Sequence, residues 1–463
     1  RSHIADPHER LEACLRRVDA VESSVQAFVS VHPDDARQQA HAWANAVAAG
    51  AEPGPLHGMP VAIKDIFDVA GRVTRCGSRA YDNAPVAVSD SAAVRRLREA
   101  GAVIIGKSHT HELALGVSTP PTRNPWDLTR SPGGSSGGSG AAVAAGMAVA
   151  ALGSDTGGSV RTPASLCGVV GLKPTYGRIS RAGALPLSWS LDHVGVLART
   201  VGDAAVLLQV LAGPDLSDPA TLGLPTLEIP HIDGSTVGRL AGRRFGIVPE
   251  AFLEAMDQAT ATGFANARSA AERAGATCIT VSVPELSWSL EVEMTILLTE
   301  AAAFHERRLA TQPTLFSEGV LSPLTKGLSI SSPTYLRAQR VRAVIQAAVA
   351  RAFTDHQLDA LIAPSTPSTA HRVEQEVLDL QGTAERADEA YVRTTGPANL
   401  CGLPAVALPV EMSRAGLPVS VQLIGRAFSE PDLLPLAAAF HDITAWGAAW
   451  RQAPCMPTPE ARP

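Results

Sequence analysis

Apolar residues recur along this chain in two ways, as short unbroken runs and at helical spacing, and the alternation of the two predicts strands and helices in turn. From Pro7 to Ser23, Leu11, Cys14, Leu15 and Val18 stand at helical spacing, and Asp34 to Ala49 is a second, alanine-rich helical stretch. Both read as outer, covering helices. At Gly58 the character changes: Pro60 to Ile63 is a short apolar strand that ends on Lys64 and Asp65. Ser91 to Glu99 predicts a helix and Ala102 to Gly106 a buried strand; Gly168 to Pro174 predicts a strand followed by a turn and a wall of loop, and Thr200 to Ala212 a helix. Further on come a strand at Arg244 to Val248, a helix at Ala261 to Ala274, the β-like TCITVSV, long helices from Glu291 to Leu309 and from Thr334 to Phe353, and a buried strand from Leu358. After an acidic, polar stretch to Arg393, PANLCGLPAVALPV and LPVSVQLIG read as two arms of a hairpin turning at Ser413 to Gly416, and a final helix lies near Asp432 to Thr444. Strands alternating with helices predict an α/β fold.

One stretch breaks this pattern. Ser131 to Pro163 reads SPGGSSGGSGAAVAAGMAVAALGSDTGGSVRTP and holds two glycine-flanked serines, Ser135 and Ser159. Flexible Gly/Ser linkers are polar throughout, whereas Ala141 to Gly153 carries no charge and no hydroxyl. It reads as one buried element, helix or strand, with a serine pinned at each end. A serine hydroxyl attacks a carbonyl only when a base takes its proton and donors receive the developing oxyanion. Thr156, Gly157, Gly158 and Ser159 offer consecutive backbone N–H groups that can curl around an oxygen, which makes Ser159 the natural nucleophile. Asp155 and Arg161 flank the loop and are expected to hold it by a charge-assisted pair. Lys64, at the end of a buried strand, must find partners or lose its proton.

Other chemistry competes for the same residues. Gly133-x-Ser135-x-Gly137 matches a nucleophile elbow, which would make Ser135 the nucleophile, served by a downstream acid and histidine. His109 and His111 with Glu112 could ligate a metal, but no second ligand cluster accompanies them, and a pocket-lining loop is the plainer reading.

Composition narrows the class. Of 463 residues 45% are hydrophobic but only 4% aromatic, with 39 Gly and 34 Pro, so the core is expected to be built from Ala, Val and Leu with many tight turns. A net charge of −6 leaves no basic footprint and argues against nucleic acid as a partner. No apolar run reaches the roughly 18 residues of a membrane helix. The N-terminus lacks the apolar core of a signal peptide, and its first residues read as an expression remnant that leaves a cleaved leader open. Six cysteines, at 14, 76, 167, 278, 401 and 455, form no CxxC pair; reduced thiols in a cytoplasmic protein fit them.

The chain resembles the amidase signature family. The resemblance rests on GMPVAIKD (58 to 65), GKSHTHELALG (106 to 116), SPGGSSGGSGAAVAAG (131 to 146), LGSDTGGSVRTPASLCGVVGLKPTYGRIS (152 to 180) and LDHVGVLART (191 to 200), with weaker echoes in DALIAPSTP and PANLCGLPAVALPV. It is strong over about 54 to 200 and fair over 358 to 428. It implies a single α/β/α domain over 1–463 with a large mixed β-sheet between helices: N-terminal covering helices (1–57), a catalytic core (58–212), a variable substrate-pocket region (213–357) and a C-terminal part of the same sheet (358–463). It implies a Ser–cis-Ser–Lys group of Ser159 in DTGGS, Ser135 in GGSSGG after a cis peptide, and Lys64 in AIKD. Ser136 is then a supporting partner, and Thr156, Gly157, Gly158 and Ser159 the oxyanion hole. The expected reaction is hydrolysis of the C–N bond of a small-molecule amide through a serine acyl-enzyme, with no cofactor and no metal. Leu185 to Trp189 and the segment EMTILLTEAAAFHERRL favour an apolar or aryl substrate; a carbamate (urethane) or an aryl acylamide is the variant of this reading. A glutaminase component of a tRNA-dependent amidotransferase is a further branch, but LTKGLSISSPTYLRAQRVR lacks the arginine-led run, of the kind RRIMLG, that holds glutamine there. A non-catalytic scaffold protein is the rival class, and a homodimer is what the family suggests for assembly.

Overall fold

The computed structural model describes residues 7–232 and 239–447; the first six residues, read as a remnant, and Cys455 lie outside them. Helix α1 (Pro7–Val25), strand β1 (Phe28–Val31) and helix α2 (Pro33–Ala48) lead into β2 (Pro60–Lys64), α3 (Ala92–Glu99), β3 (Val103–Ser108), α4 (Gly137–Ala144), β4 (Ala150–Asp155), α5 (Arg161–Cys167), β5 (Val170–Lys173), β6 (His193–Ala198) and α6 (Val201–Leu211). The middle of the chain supplies β7 (Arg244–Ile247), α7 (Gln258–Arg273), β8 (Thr277–Thr280), α8 (Ser289–Thr311), α9 (Glu318–Leu328) and α10 (Ser332–Asp355). The remainder adds β9 (Ala360–Pro364), the small hairpin β10 (Val377–Leu380) and β11 (Thr383–Arg386), α11 (Ala387–Leu400), β12 (Ala405–Met412), β13 (Pro418–Ile424) and α12 (Glu430–Asp442).

Eleven of these strands form one mixed sheet in the order β1-β3-β2-β4-β6-β5-β12-β13-β9-β7-β8. Successive side chains of a strand point to opposite faces, and the core divides accordingly. Val61 and Ile63 of β2 and Ala150 and Leu152 of β4 face one apolar cluster together with Val201, Ala204 and Leu208 of α6. Ala62 and Ala151 face the other, with Leu11, Leu15 and Val18 of α1 and Ala141 to Ala144 of α4. A helix layer thus covers each side of the sheet.

Three expectations need correction. Ala141 to Gly153 is two elements: α4 ends at Ala144, the chain turns through Gly146 at φ +74, and β4 begins at Ala150. All three pieces are built from small apolar residues, so nothing in the run marks the turn except one glycine. The expected wall of loop after Pro174 contains β6, which pairs antiparallel with both β4 and β5. PANL is not strand but the C-terminal end of α11, where Pro397 sits inside the helix. The apolar spacing predicts neither strand β1 nor helix α9.

Candidate active site

Strands β2 and β4 run parallel, with Ile63 opposite Leu152. Their C-terminal ends therefore lie side by side, and ligand sites of open α/β sheets favour that edge. Lys64 closes β2; Ser154 and Asp155 close β4. Lys64 has no exposed surface, and its Nζ donates to Ser135 Oγ (2.7 Å) and Ser154 Oγ (2.8 Å). Burial lowers its pKa to about 7, against the opposing pull of the Asp155 and Asp192 carboxyls. The lysine thus finds two hydroxyl partners, and burial shifts it toward its neutral form. Sequence reasoning misses Ser154, since a serine just past the end of an apolar run shows no sign of a partner 90 positions away.

Ser135 follows a cis peptide, Gly134–Ser135, just before α4. Its carbonyl accepts from His111 N (3.1 Å), and its hydroxyl meets Lys64 rather than a histidine, as the elbow reading would require. Ser136 ties the two serine loops together: its N–H donates to Ser159 O (3.1 Å), and its hydroxyl donates to Ser154 O (3.1 Å).

The loop from Thr156 to Ser159 is held by Asp155 and Arg161, which form a two-point ion pair with neither side chain exposed (Nη2–Oδ1 3.0 Å, Nε–Oδ2 3.1 Å). The pairing expected from the sequence is present. Burial works against ionised Asp155, but the Arg161 guanidinium outweighs it and holds the carboxyl well below the usual range. Residues from the far end of the chain complete the network: Asn399 Nδ2 donates to Asp155 Oδ1 (2.8 Å), and Arg161 donates to Asn399 Oδ1 (2.5 Å) and Gln422 Oε1 (2.9 Å). Nothing in the sequence points to Asn399 or Gln422.

The four expected oxyanion donors need a correction as well. The Gly158 N–H is already taken by Asp155 Oδ1 (2.9 Å), so it cannot also serve an oxyanion. The amides of Gly157 and Ser159 have no acceptor among the described residues. Gly158 sits at φ +123, and a Cβ there would collide with Thr395 Oγ1, so only glycine fits. Thr156 turns its hydroxyl to Asp192 Oδ1 (2.6 Å).

Gly157, Gly158 and Ser159 open onto a cavity of about 820 Å³, walled by Leu115, Val117, Met294, Leu297 and Val392 and rimmed by charged groups such as Glu291, Lys326 and Arg386. A neighbouring cavity of about 300 Å³, lined by Ser154, Leu185, Leu187 and Trp189, shares Ala114 and Leu187 with it. The His109 to Glu112 segment is a loop whose carboxylate is engaged elsewhere: Glu112 accepts from Ser78 Oγ (2.5 Å) and Ser317 N (3.1 Å). No group of three His, Cys, Asp or Glu among the described residues is placed to hold a metal.

Fold and site define a class of α/β enzymes in which two glycine- and serine-rich loops border one cavity and a fully buried lysine lies behind them, bonded to Ser135. The chain belongs to the amidase family and is an amidohydrolase: the family model described as Amidase matches residues 9–434. It is 43% identical over 440 residues to an amidase of Pseudomonas putida, covering 95% of this chain and 92% of that one. It is also 38% identical to a glutamyl-tRNA(Gln) amidotransferase component of Roseiflexus sp. (strain RS-1), covering 95% and 93%. Among solved structures, a crystal structure of an amidase superposes with a TM-score of 0.86 at 34% identity over 95% of this chain and 97% of that chain.

Proposed function

We propose that the enzyme hydrolyses a linear small-molecule amide through an acyl-enzyme, with Ser159 as nucleophile, Ser135 as proton relay and Lys64 as base. The observation that carries this reading is the 2.7 Å contact between Lys64 Nζ and Ser135 Oγ, made by a lysine whose pKa burial brings to about 7. Such a group is matched to proton transfer near neutrality. Ser159 Oγ bonds to the carbonyl carbon while its proton passes to Ser135 and that of Ser135 to Lys64. The carbonyl π pair moves onto oxygen, where the amides of Gly157 and Ser159 receive it. Collapse breaks the C–N bond, and the proton returns through Ser135 to the departing amine. Water then repeats the sequence on the acyl-enzyme. Ser136 and the Asp155–Arg161 pair hold the loops in register.

The apolar wall of the large cavity favours an apolar or aryl substrate, and carbamates and aryl acylamides share that chemistry. The amidotransferase relatives keep a glutaminase reading alive. Against it, the segment that would carry the arginine-led run contributes Lys326 and Ile330 to the cavity. Aliphatic primary amides, anilides, aryl carbamates and glutamine, scored by the amine released with Ser159→Ala as blank, separate these readings. Lys64→Ala is expected to lose about 10²–10⁴-fold in turnover; near-normal activity at neutral pH would sink the relay. Stoichiometric labelling of Ser159 by a fluorophosphonate distinguishes an enzyme from a scaffold, and labelling of Ser135 instead would revive the elbow.

A further inference from the structure

Helix α8 lines the large cavity with Leu290, Met294, Leu297 and Leu298, yet between them it sends one carboxyl, Glu293, into the interior. Glu293 has no exposed surface, and neither of its oxygens meets a hydrogen-bond partner among the described residues. The carboxyl is wedged between two glycines: a Cβ on Gly157 would stand 3.0 Å from Oε1, and one on Gly396 would collide with Oε2. Gly157 belongs to the loop that offers its amide to an oxyanion. Gly396 follows Thr395 on α11, and the Thr395 hydroxyl donates to Gly157 O (2.5 Å). Glu293, Gly396 and Thr395 therefore pack behind the Gly157 peptide, whose other side faces the large cavity.

Packing alone gives no reason for an acid here. An apolar side chain of similar volume fills such a space without the cost of burying an unpartnered polar group. Burial pushes the Glu293 carboxyl well above the usual carboxylate range, so it is neutral where free carboxylates are ionised. The groups that bear on it are Arg161, which pulls it down, Asp155, which pushes it up, and Arg342 of α10 and Lys173 of β5, which pull it down. Cys401, beyond α11, also senses it, with a thiol that burial raises to about 12.

We propose that Glu293 is a positioning residue for the hydrolytic reaction: in its neutral form it braces the Gly157 turn so that its amide faces the oxyanion, and in its ionised form it opposes the negative charge the turn must receive. It acts through Gly157 and touches no substrate. The inference rests on the reading of Ser159 as nucleophile and Gly157 as donor.

The test is the rate at which a fluorophosphonate inactivates the whole enzyme, followed from acid to alkaline pH in wild type, Glu293→Gln and Glu293→Met. In that reaction Ser159 Oγ bonds to phosphorus, fluoride leaves, and the phosphoryl oxygen occupies the oxyanion position. The wild-type rate is expected to rise as Lys64 loses its proton and to fall again on the alkaline side. Glu293→Gln, whose amide cannot ionise, is expected to lose the alkaline fall. Glu293→Met decides the matter if the glutamine variant does not fold. An alkaline fall with the same midpoint in a folded variant, or no fall in wild type, overturns the proposal. So does a loss of rate that is uniform across pH and tracks the melting temperature, since that is packing alone. If wild type takes no label on Ser159, the underlying reading fails first and this one falls with it.

Discussion

Lys64 Nζ is met by two hydroxyls, whereas Lys107, on the neighbouring strand β3, is matched by the Asp65 carboxylate at 2.7 Å with both side chains buried. A lysine with hydroxyl partners keeps little compensation for its lost hydration, and the neutral form gains. The sign for activity follows. Below about 7 Lys64 is protonated and cannot accept the proton relayed from Ser159, so the acid limb of kcat/KM is expected to rise with pH through about that value. Ser154 Oγ accepts from the ammonium and so favours the charged form. Ser154→Ala is therefore expected to move the acid limb of the pH–rate profile down by about one pH unit; an upward or absent movement contradicts this role. At Gly158 the constraint is steric: φ +123 and the approach of Thr395 make Gly158→Ala costly, by about 2–4 kcal/mol, which urea denaturation reads directly. The glycines and the lysine are visible as chemistry in the sequence. That Gly158 spends its amide on Asp155 is not, because a backbone hydrogen bond leaves no residue-type signature.

Arg161 opens α5, Asp155 closes β4, Asn399 lies in the last turn of α11 and Gln422 lies on β13, so one buried network fastens four elements. Breaking one partner of such a pair leaves an uncompensated buried charge. Arg161→Met is expected to destabilise the fold by about 3–5 kcal/mol and to abolish turnover, measured by urea denaturation and by amine release. Element types are legible wherever an apolar period is long or is bounded by turn residues, as in α1, β2, α10 and the β12–β13 hairpin. They are lost where residues are buried on every side. The Ala141 to Gly153 run is apolar throughout because α4 and β4 are both enclosed, so no period survives to separate them. HVGVLA is a six-residue run with both faces covered, and Gly396–Pro397 argues against a helix that tertiary packing nonetheless maintains.

All four stretches distinguished along the chain contribute to the single eleven-stranded sheet, from β1 at one edge to β8 at the other. Helix α1 lays Leu11, Leu15, Val18, Val21 and Val25 into the same apolar cluster as α4, the helix that follows Ser135 and Ser136. Removing residues 7–57 would expose that cluster, so the truncated protein is expected to be recovered in the insoluble fraction, checked by partition of expressed material after lysis. Across the molecule the sequence by itself determined the α/β class, the two serine loops, the lysine at a strand end and the family likeness, because these depend on residue type and local spacing. Tertiary structure alone decided that Lys64 meets Ser154, that Asn399 and Gln422 lock the Asp155–Arg161 pair, and that Glu293 lies buried behind Gly157. Each of those contacts joins positions far apart in the chain, and only the order of strands in the sheet and the packing of α8 and α11 over it bring them together.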